Sequence, residues 1–173
     1  MILIWLAVAT LMTAVPEASA QSSPAEAATP SAASQALAAF DPLIGKTWRG
    51  ASLNAVDAID EVRFERILNG HAIRSTHSVN GGVYAGETLI TWDAAQNRLV
   101  SFYATTGGFY TTGTIVVRGP GAFDFDQVVH GLPDLPGVRA TTSFENGVYR
   151  IRSRHLIKGE WVDTGGFDYR AVP

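Results

Sequence analysis

The side chains in this sequence that could carry chemistry are few and scattered: Arg66, His77, Glu87, Tyr103, Tyr149 and His155. An arginine presents a planar fork of donors that suits a carboxylate or another anionic head, a geometry that the point charge of lysine lacks. A glutamate beside a histidine is the smallest set that could run acid–base chemistry, provided the surroundings tune both pKa values. Sharper signatures are missing. There is no Gly-x-Ser-x-Gly elbow and no phosphate loop, and no His-x-His or His-Glu-x-x-His pair offers metal-ligand spacing. The chain has 4 histidines and no cysteine, so thiolate chemistry, disulfides and cysteine-held metal are excluded. His71 lies beside a turn and His130 in a loop, and both are expected to be exposed.

The elements that must position these residues are strands. From Gly45 onward, turn signals recur at Asn69-Gly70, Asn80-Gly81-Gly82, Gln96-Asn97, Gly107-Gly108, Gly119-Pro120-Gly121, Asn146-Gly147 and Lys158-Gly159. Asn-Gly tolerates the positive φ that tight hairpins demand. Between the turns lie runs rich in Val, Ile, Thr, Tyr and Phe with period-two alternation. The spacing predicts strands over Lys46–Leu53, Asp60–Leu68, His71–Val79, Val83–Thr91, Arg98–Thr105, Phe109–Arg118, Ala122–Val129, Val138–Glu145, Val148–Ile157 and Glu160–Tyr169. Connections this short force neighbours to run antiparallel. The expected fold class is all-β: a closed up-and-down antiparallel barrel of about ten strands with a short N-terminal helix, because closure removes the two exposed edges of such a meander. A sandwich is the alternative, and only residues 130–137 are long enough to make the crossover it needs.

Alternation assigns faces. Arg150, Arg152 and Arg154 share one face that belongs in water, so Tyr149, Ile151, Ser153, His155 and Ile157 point inward. Glu61, Arg63 and Glu65 face out, leaving Val62, Phe64, Arg66 and Leu68 inside. Asp124 and Asp126 fall on the solvent face, opposite Phe123 and Phe125. Arg74 outside puts Ile73, Ser75, His77 and Val79 inside. The run Val83–Thr91 is apolar on both faces; if Val83, Ala85 and Leu89 point inward, so does Glu87. A buried charge without a partner costs several kcal/mol, and a filled core would avoid so many polar groups. The pattern therefore implies a cavity, with Trp48, Phe64, Tyr103, Phe123 and Tyr149 as apolar wall and Arg66, His77, Glu87 and His155 as polar contacts. The bland reading of each stands beside this: Arg66 emerging at a rim, the histidines satisfied in the core, Glu87 pairing with Arg66, and Trp48 packing a barrel end.

Ahead of the strands, Ile2 to Val15 is apolar apart from Thr10 and Thr13, Pro16 ends the run, and Ala18-Ser19-Ala20 supplies a small-x-small cleavage pattern. Residues 1–20 are expected to be a signal peptide, which makes the protein periplasmic or secreted, with no stable membrane insertion after cleavage. No Lys or Arg precedes the apolar run, and an uncleaved anchor helix is the alternative. Residues 21–37 read as a flexible Ala/Ser/Pro linker, with a short helix possible over Ser34–Phe40, and residues 38–173 as the barrel domain. The 173-residue chain carries a net charge of −3 and no basic run, so nucleic acid is not an expected partner.

Leu43-Ile44-Gly45-Lys46-Thr47-Trp48-Arg49-Gly50, then Phe64-Glu65-Arg66-Ile67-Leu68-Asn69-Gly70-His71, Tyr84-Ala85-Gly86 with Trp92-Asp93, and a terminal Phe167-Asp168-Tyr169-Arg170 come in an order that resembles the DUF1579-type calycin-like barrels. The resemblance covers roughly residues 38–171. It implies a lipocalin-like or fatty-acid-binding-like barrel and transfers no catalytic residues. A more distant likeness, through the Gly-x-x-Trp-Arg-Gly opening, is to nitrobindin-type haem barrels. Their opening has one residue between Gly and Trp, whereas Lys46 and Thr47 both intervene here. That likeness would make His155 the haem ligand, but its surroundings do not match the motif, and no cofactor is expected.

The function expected from these residues is an exported barrel that binds a small apolar or amphipathic molecule, with Arg66 receiving an anionic head. The alternative is an isomerase, cyclase or hydratase that pairs Glu87 with His77 or His155. A third reading, a structural or inhibitory partner protein, would require a filled interior and an exposed apolar patch.

Overall fold

The computed structural model describes residues 31–173; the expected signal segment and most of the expected linker lie outside them. Ser31 starts the described chain as a helix cap, its Oγ accepting the Ser34 N–H at 3.1 Å. The helix α1 (Ala32–Ala38) follows, so the expected linker boundary at residue 37 is too late: Leu37 is already buried core. Ten strands come next: β1 (Thr47–Ser52), β2 (Ile59–Ile67), β3 (Ala72–Val79), β4 (Tyr84–Asp93), β5 (Arg98–Thr105), β6 (Tyr110–Gly119), β7 (Ala122–His130), β8 (Gly137–Glu145), β9 (Val148–Ile157) and β10 (Glu160–Val172). Their ends match the sequence expectation to within three residues, the largest difference being the extension of β10 to Val172.

Every strand pairs antiparallel with its neighbour in sequence. The first and last strands then pair with each other, from Thr47 opposite Val172 to Ser52 opposite Phe167, and the sheet is a closed barrel. Closure excludes the sandwich. The turns work as their residue types require: Asn80, Asn97 and Asn146 take φ of 48°, 53° and 52°, the left-handed region that asparagine tolerates best after glycine. The outward arginines of β9 are held in place by β10, Asp168 meeting Arg152 at 2.6 Å and Arg150 at 3.6 Å.

The interior is divided along the barrel axis. One end is plugged. Residues 31–45 fold across it, and Phe40, fully buried, stacks on Phe123 with ring centroids 4.0 Å apart. The Gly121 N–H donates to the Ala39 carbonyl at 2.7 Å, and the Trp48 indole N–H donates to the Leu43 carbonyl at 2.9 Å. Ile73, Ile90, Leu99 and Ile115 complete a dense apolar core with the plug. Arg66 belongs to this end. It is not a cavity residue, as its alternation suggested: its side chain leaves the barrel at the rim, where Nη2 meets Asp41 Oδ1 at 2.5 Å and donates to the Leu37 carbonyl at 3.1 Å. It clamps the plug to β2.

Two further expectations are corrected. In β4 the inward set is Tyr84, Thr88 and Ile90, so Glu87 is exposed on the outer face. The deeper burial available to Ile90 (1% exposed) decides the phase against Leu89 (38% exposed). His130 is not in a loop but ends β7. It is half-buried, with Nε2 hydrogen-bonded to Thr112 Oγ1 at 2.9 Å and its ring stacked on Tyr110 at 4.5 Å.

Candidate functional site

Away from the plug the barrel is hollow. A cavity of about 510 Å³ opens towards the end carrying the β1–β2, β5–β6 and β7–β8 connections, with Asn54, Phe109 and Leu135 at its mouth. The wall is mostly apolar, from Val62, Phe64, Phe125, Val138, Tyr149, Ile151 and Phe167 among others. Among the described residues that line it there is no lysine or arginine.

Alternation in β2 brings Asp60 to the wall, on the same face as Val62 and Phe64. Its side chain is 5% exposed, and its two oxygens are both occupied. Oδ2 accepts the Tyr169 hydroxyl at 2.8 Å, and Oδ1 lies 3.2 Å from His77 Nδ1 on the adjacent strand. The other imidazole nitrogen, Nε2, is 2.8 Å from the Tyr103 hydroxyl, which is 2.8 Å from the Tyr84 hydroxyl. Four strands thus contribute to one unbroken chain: Asp60, His77, Tyr103 and Tyr84 from β2, β3, β5 and β4.

Two glycines make room for it. Gly86 sits between His77 and Thr105 in the ladder, with the Tyr103 ring lying across it; a Cβ there would stand 2.7 Å from the Tyr103 hydroxyl and 2.8 Å from Cζ. Gly50 lies opposite Tyr169, and a Cβ there would come 2.7 Å from its ring carbon Cδ1. In both places an absent side chain lets a tyrosine lie flat on the neighbouring strand and aim its hydroxyl at the chain.

Electrostatics keeps these phenols protonated. Burial, the hydrogen bond from Tyr84 and the nearby Asp60 push the Tyr103 hydroxyl far above the ordinary tyrosine range. Burial and then Asp60 do the same to Tyr169, and burial alone drives Tyr149 upward. His155 is shifted the other way, since burial disfavours its cationic form.

A second polar group sits deeper in β5–β7. Gln127, 8% exposed, accepts at Oε1 from Ser101 Oγ and Thr111 Oγ1, both at 3.1 Å. It satisfies the wall internally and offers a ligand little.

Of the residues singled out from sequence, Phe64, His77, Tyr103, Tyr149 and His155 line the cavity, and Arg66, Glu87, Trp48 and Phe123 do not, Phe123 being taken up by the stack on Phe40 in the plug. Trp48 is 1% exposed within the plug core, edge-on to Tyr149 at 6.2 Å. A Glu/His pair in the cavity is therefore ruled out, because Glu87 points to solvent. Sequence reasoning passed over Asp60, Tyr84, Gln127 and Tyr169. Parity with Val62 and Phe64 would have found Asp60, and parity with Phe123 and Phe125 would have found Gln127. Tyr84 was hidden by the ambiguous phase of its strand. Among the described residues, no three His, Asp or Glu side chains gather to hold a metal ion, and no helix is long and apolar enough to cross a membrane. No protein-family model matches the chain, and no curated protein matches it significantly.

Proposed function

We propose that this protein is an exported binding barrel that encloses one small, largely apolar molecule in its hollow end. The observation that carries the reading is the contrast between the two ends. The plugged end is packed with apolar side chains, while the open end encloses a cavity of about 510 Å³ behind a mostly apolar wall. Water held against a mostly apolar wall is easily displaced, so an apolar ligand that enters such a hollow gains affinity by replacing it. A wall that is mostly apolar with a few placed polar groups is what small-molecule sites use to combine affinity with orientation. With no lysine or arginine among the described residues of the wall, an anionic head has no fixed cation to meet inside the cavity, and Arg66 lies at the other end, so the anionic head expected for it is withdrawn. The export half of the reading rests on the apolar run and Ala18-Ser19-Ala20; mature protein beginning at Gln21 is the expected N-terminus in periplasmic or secreted fractions.

A cavity-filling substitution tests the binding. Ala140 lines the cavity between Phe125 and Ser153 on the flanking strands, and Ala140→Phe places a ring in the hollow. Organic extraction and mass spectrometry of wild-type protein should yield a bound small molecule, and folded Ala140→Phe should lose it. Equal recovery from both forms, or none from either when purified from native host, refutes the proposal.

His77 does not offer its base to such a ligand directly, since Tyr103 covers Nε2. This geometry favours recognition over proton abstraction by the imidazole.

A further inference from the structure

The hydrogens available to the Asp60–His77–Tyr103–Tyr84 chain fix its direction. We propose that this direction selects the polar group of the ligand, and that one proton on His77 reverses the selection. The inference rests on the binding reading above and names the chemistry that the site accepts.

An ionised carboxylate only accepts hydrogen bonds. Asp60 therefore takes the Tyr169 O–H on Oδ2 and the His77 Nδ1–H on Oδ1. A neutral imidazole has a single ring proton, so His77 Nε2 is then a lone pair, and the Tyr103 O–H must donate to it across 2.8 Å. Tyr103 has no second hydrogen. The 2.8 Å contact with Tyr84 is consequently Tyr84 donating to Tyr103. All the protons point towards Asp60, and the last atom of the chain, the Tyr84 hydroxyl oxygen, presents lone pairs. Tyr84 lines the cavity. In this state the site takes a hydrogen-bond donor on an otherwise apolar skeleton, as an alcohol or amide N–H supplies.

With His77 protonated, both ring nitrogens donate. Nδ1–H still points to Asp60, but Nε2–H now points to Tyr103, whose hydrogen turns to Tyr84. The Tyr84 O–H is released, and the same wall takes a ketone or ester oxygen. No heavy atom has to move.

The groups that face His77 are Asp60 on β2, Tyr84 on β4 and Tyr103 on β5, with Tyr169 of β10 behind Asp60 and His155 of β9 elsewhere on the cavity wall. Its own strand adds Ser75, and the nearby Glu61 and Glu87 lie on the outer face.

Two measurements on the whole protein test this. Long-range ¹H–¹⁵N spectra of histidine-labelled, ligand-free wild type should show His77 above its titration as the Nδ1–H tautomer with Nε2 accepting; an Nε2–H tautomer overturns the proposal. Binding of 2-undecanone, which only accepts, is then compared with binding of 2-undecanol, which can donate or accept, on either side of the His77 titration seen in the same spectra. One hydrogen bond gained predicts that the ketone-to-alcohol Kd ratio falls about five-fold on protonation in wild type and stays constant in Tyr84→Phe. A ratio that does not move in wild type, or moves equally in Tyr84→Phe, overturns the proposal. If neither probe binds at either pH, the binding reading itself fails, and the tautomer spectrum tells that failure apart from a wrong hydrogen-bond direction.

Discussion

Gly86→Ala isolates the claim that a missing side chain positions Tyr103. Gly86 lies in regular strand, and its φ lies outside the left-handed region, so alanine is compatible with the backbone. Considered alone, the change should stabilise the strand by about 0.5–1 kcal/mol. The obstacle is the Tyr103 ring, whose hydroxyl would lie 2.7 Å from the new carbon. The ring must swing away and give up its hydrogen bonds to His77 and Tyr84. Two such bonds are worth about 2 kcal/mol, leaving a net loss of about 1–1.5 kcal/mol. For a domain of this size that corresponds to a fall in Tm of roughly 5 °C. The assay is urea and thermal unfolding of wild type, Gly86→Ala, Tyr103→Ala and the double variant. In the Tyr103→Ala background the clash is gone, and Gly86→Ala should be neutral or stabilising, giving a coupling energy of about 2 kcal/mol. The same destabilisation in both backgrounds would show that the tyrosine is held by something other than the space over Gly86.

Other parts of the structure give expectations as definite. Phe40→Ala removes a fully buried ring from the stack on Phe123 and should cost about 3–5 kcal/mol by chemical denaturation; a loss under about 1 kcal/mol would mean that the plug is not part of the core. Arg66→Ala breaks a partly exposed pair, so only about 0.5–1 kcal/mol is at stake. Its signature is faster hydrogen exchange across residues 31–41 with ligand recovery unchanged, and loss of ligand without faster exchange would return Arg66 to the binding site. Burial lowers the His155 pKa in the folded state, so the unfolded chain binds its proton first. That contribution to stability is present above the unfolded value of about 6.5 and is lost as the pH falls towards the folded pKa. Wild type minus His155→Gln should therefore lose stability through this window, and a difference that is flat with pH contradicts the burial of that ring.

The sequence alone determined the strands, their turns and, in most strands, the face of each side chain. Arg150, Arg152 and Arg154 could only sit in water, and this placed Tyr149 and His155 inside; Arg74 did the same for His77. These are local facts, because the pleat alternates whatever the rest of the chain does. Alternation gives a face but not a depth along the barrel. Arg66 and Asp60 share a strand and a parity, yet one ends at the plug beside Asp41 and the other beside His77 in the hollow. Strand β4 offered two apolar faces, and only packing against the core chose Ile90 over Leu89 and so sent Tyr84 inward and Glu87 out. The polar chain itself joins residues of β2, β3, β4 and β5 and is anchored by Tyr169 from the far end of the sequence. That last contact exists because β10 pairs with β1, and closure between strands more than a hundred residues apart is a property of the whole sheet that no local pattern contains.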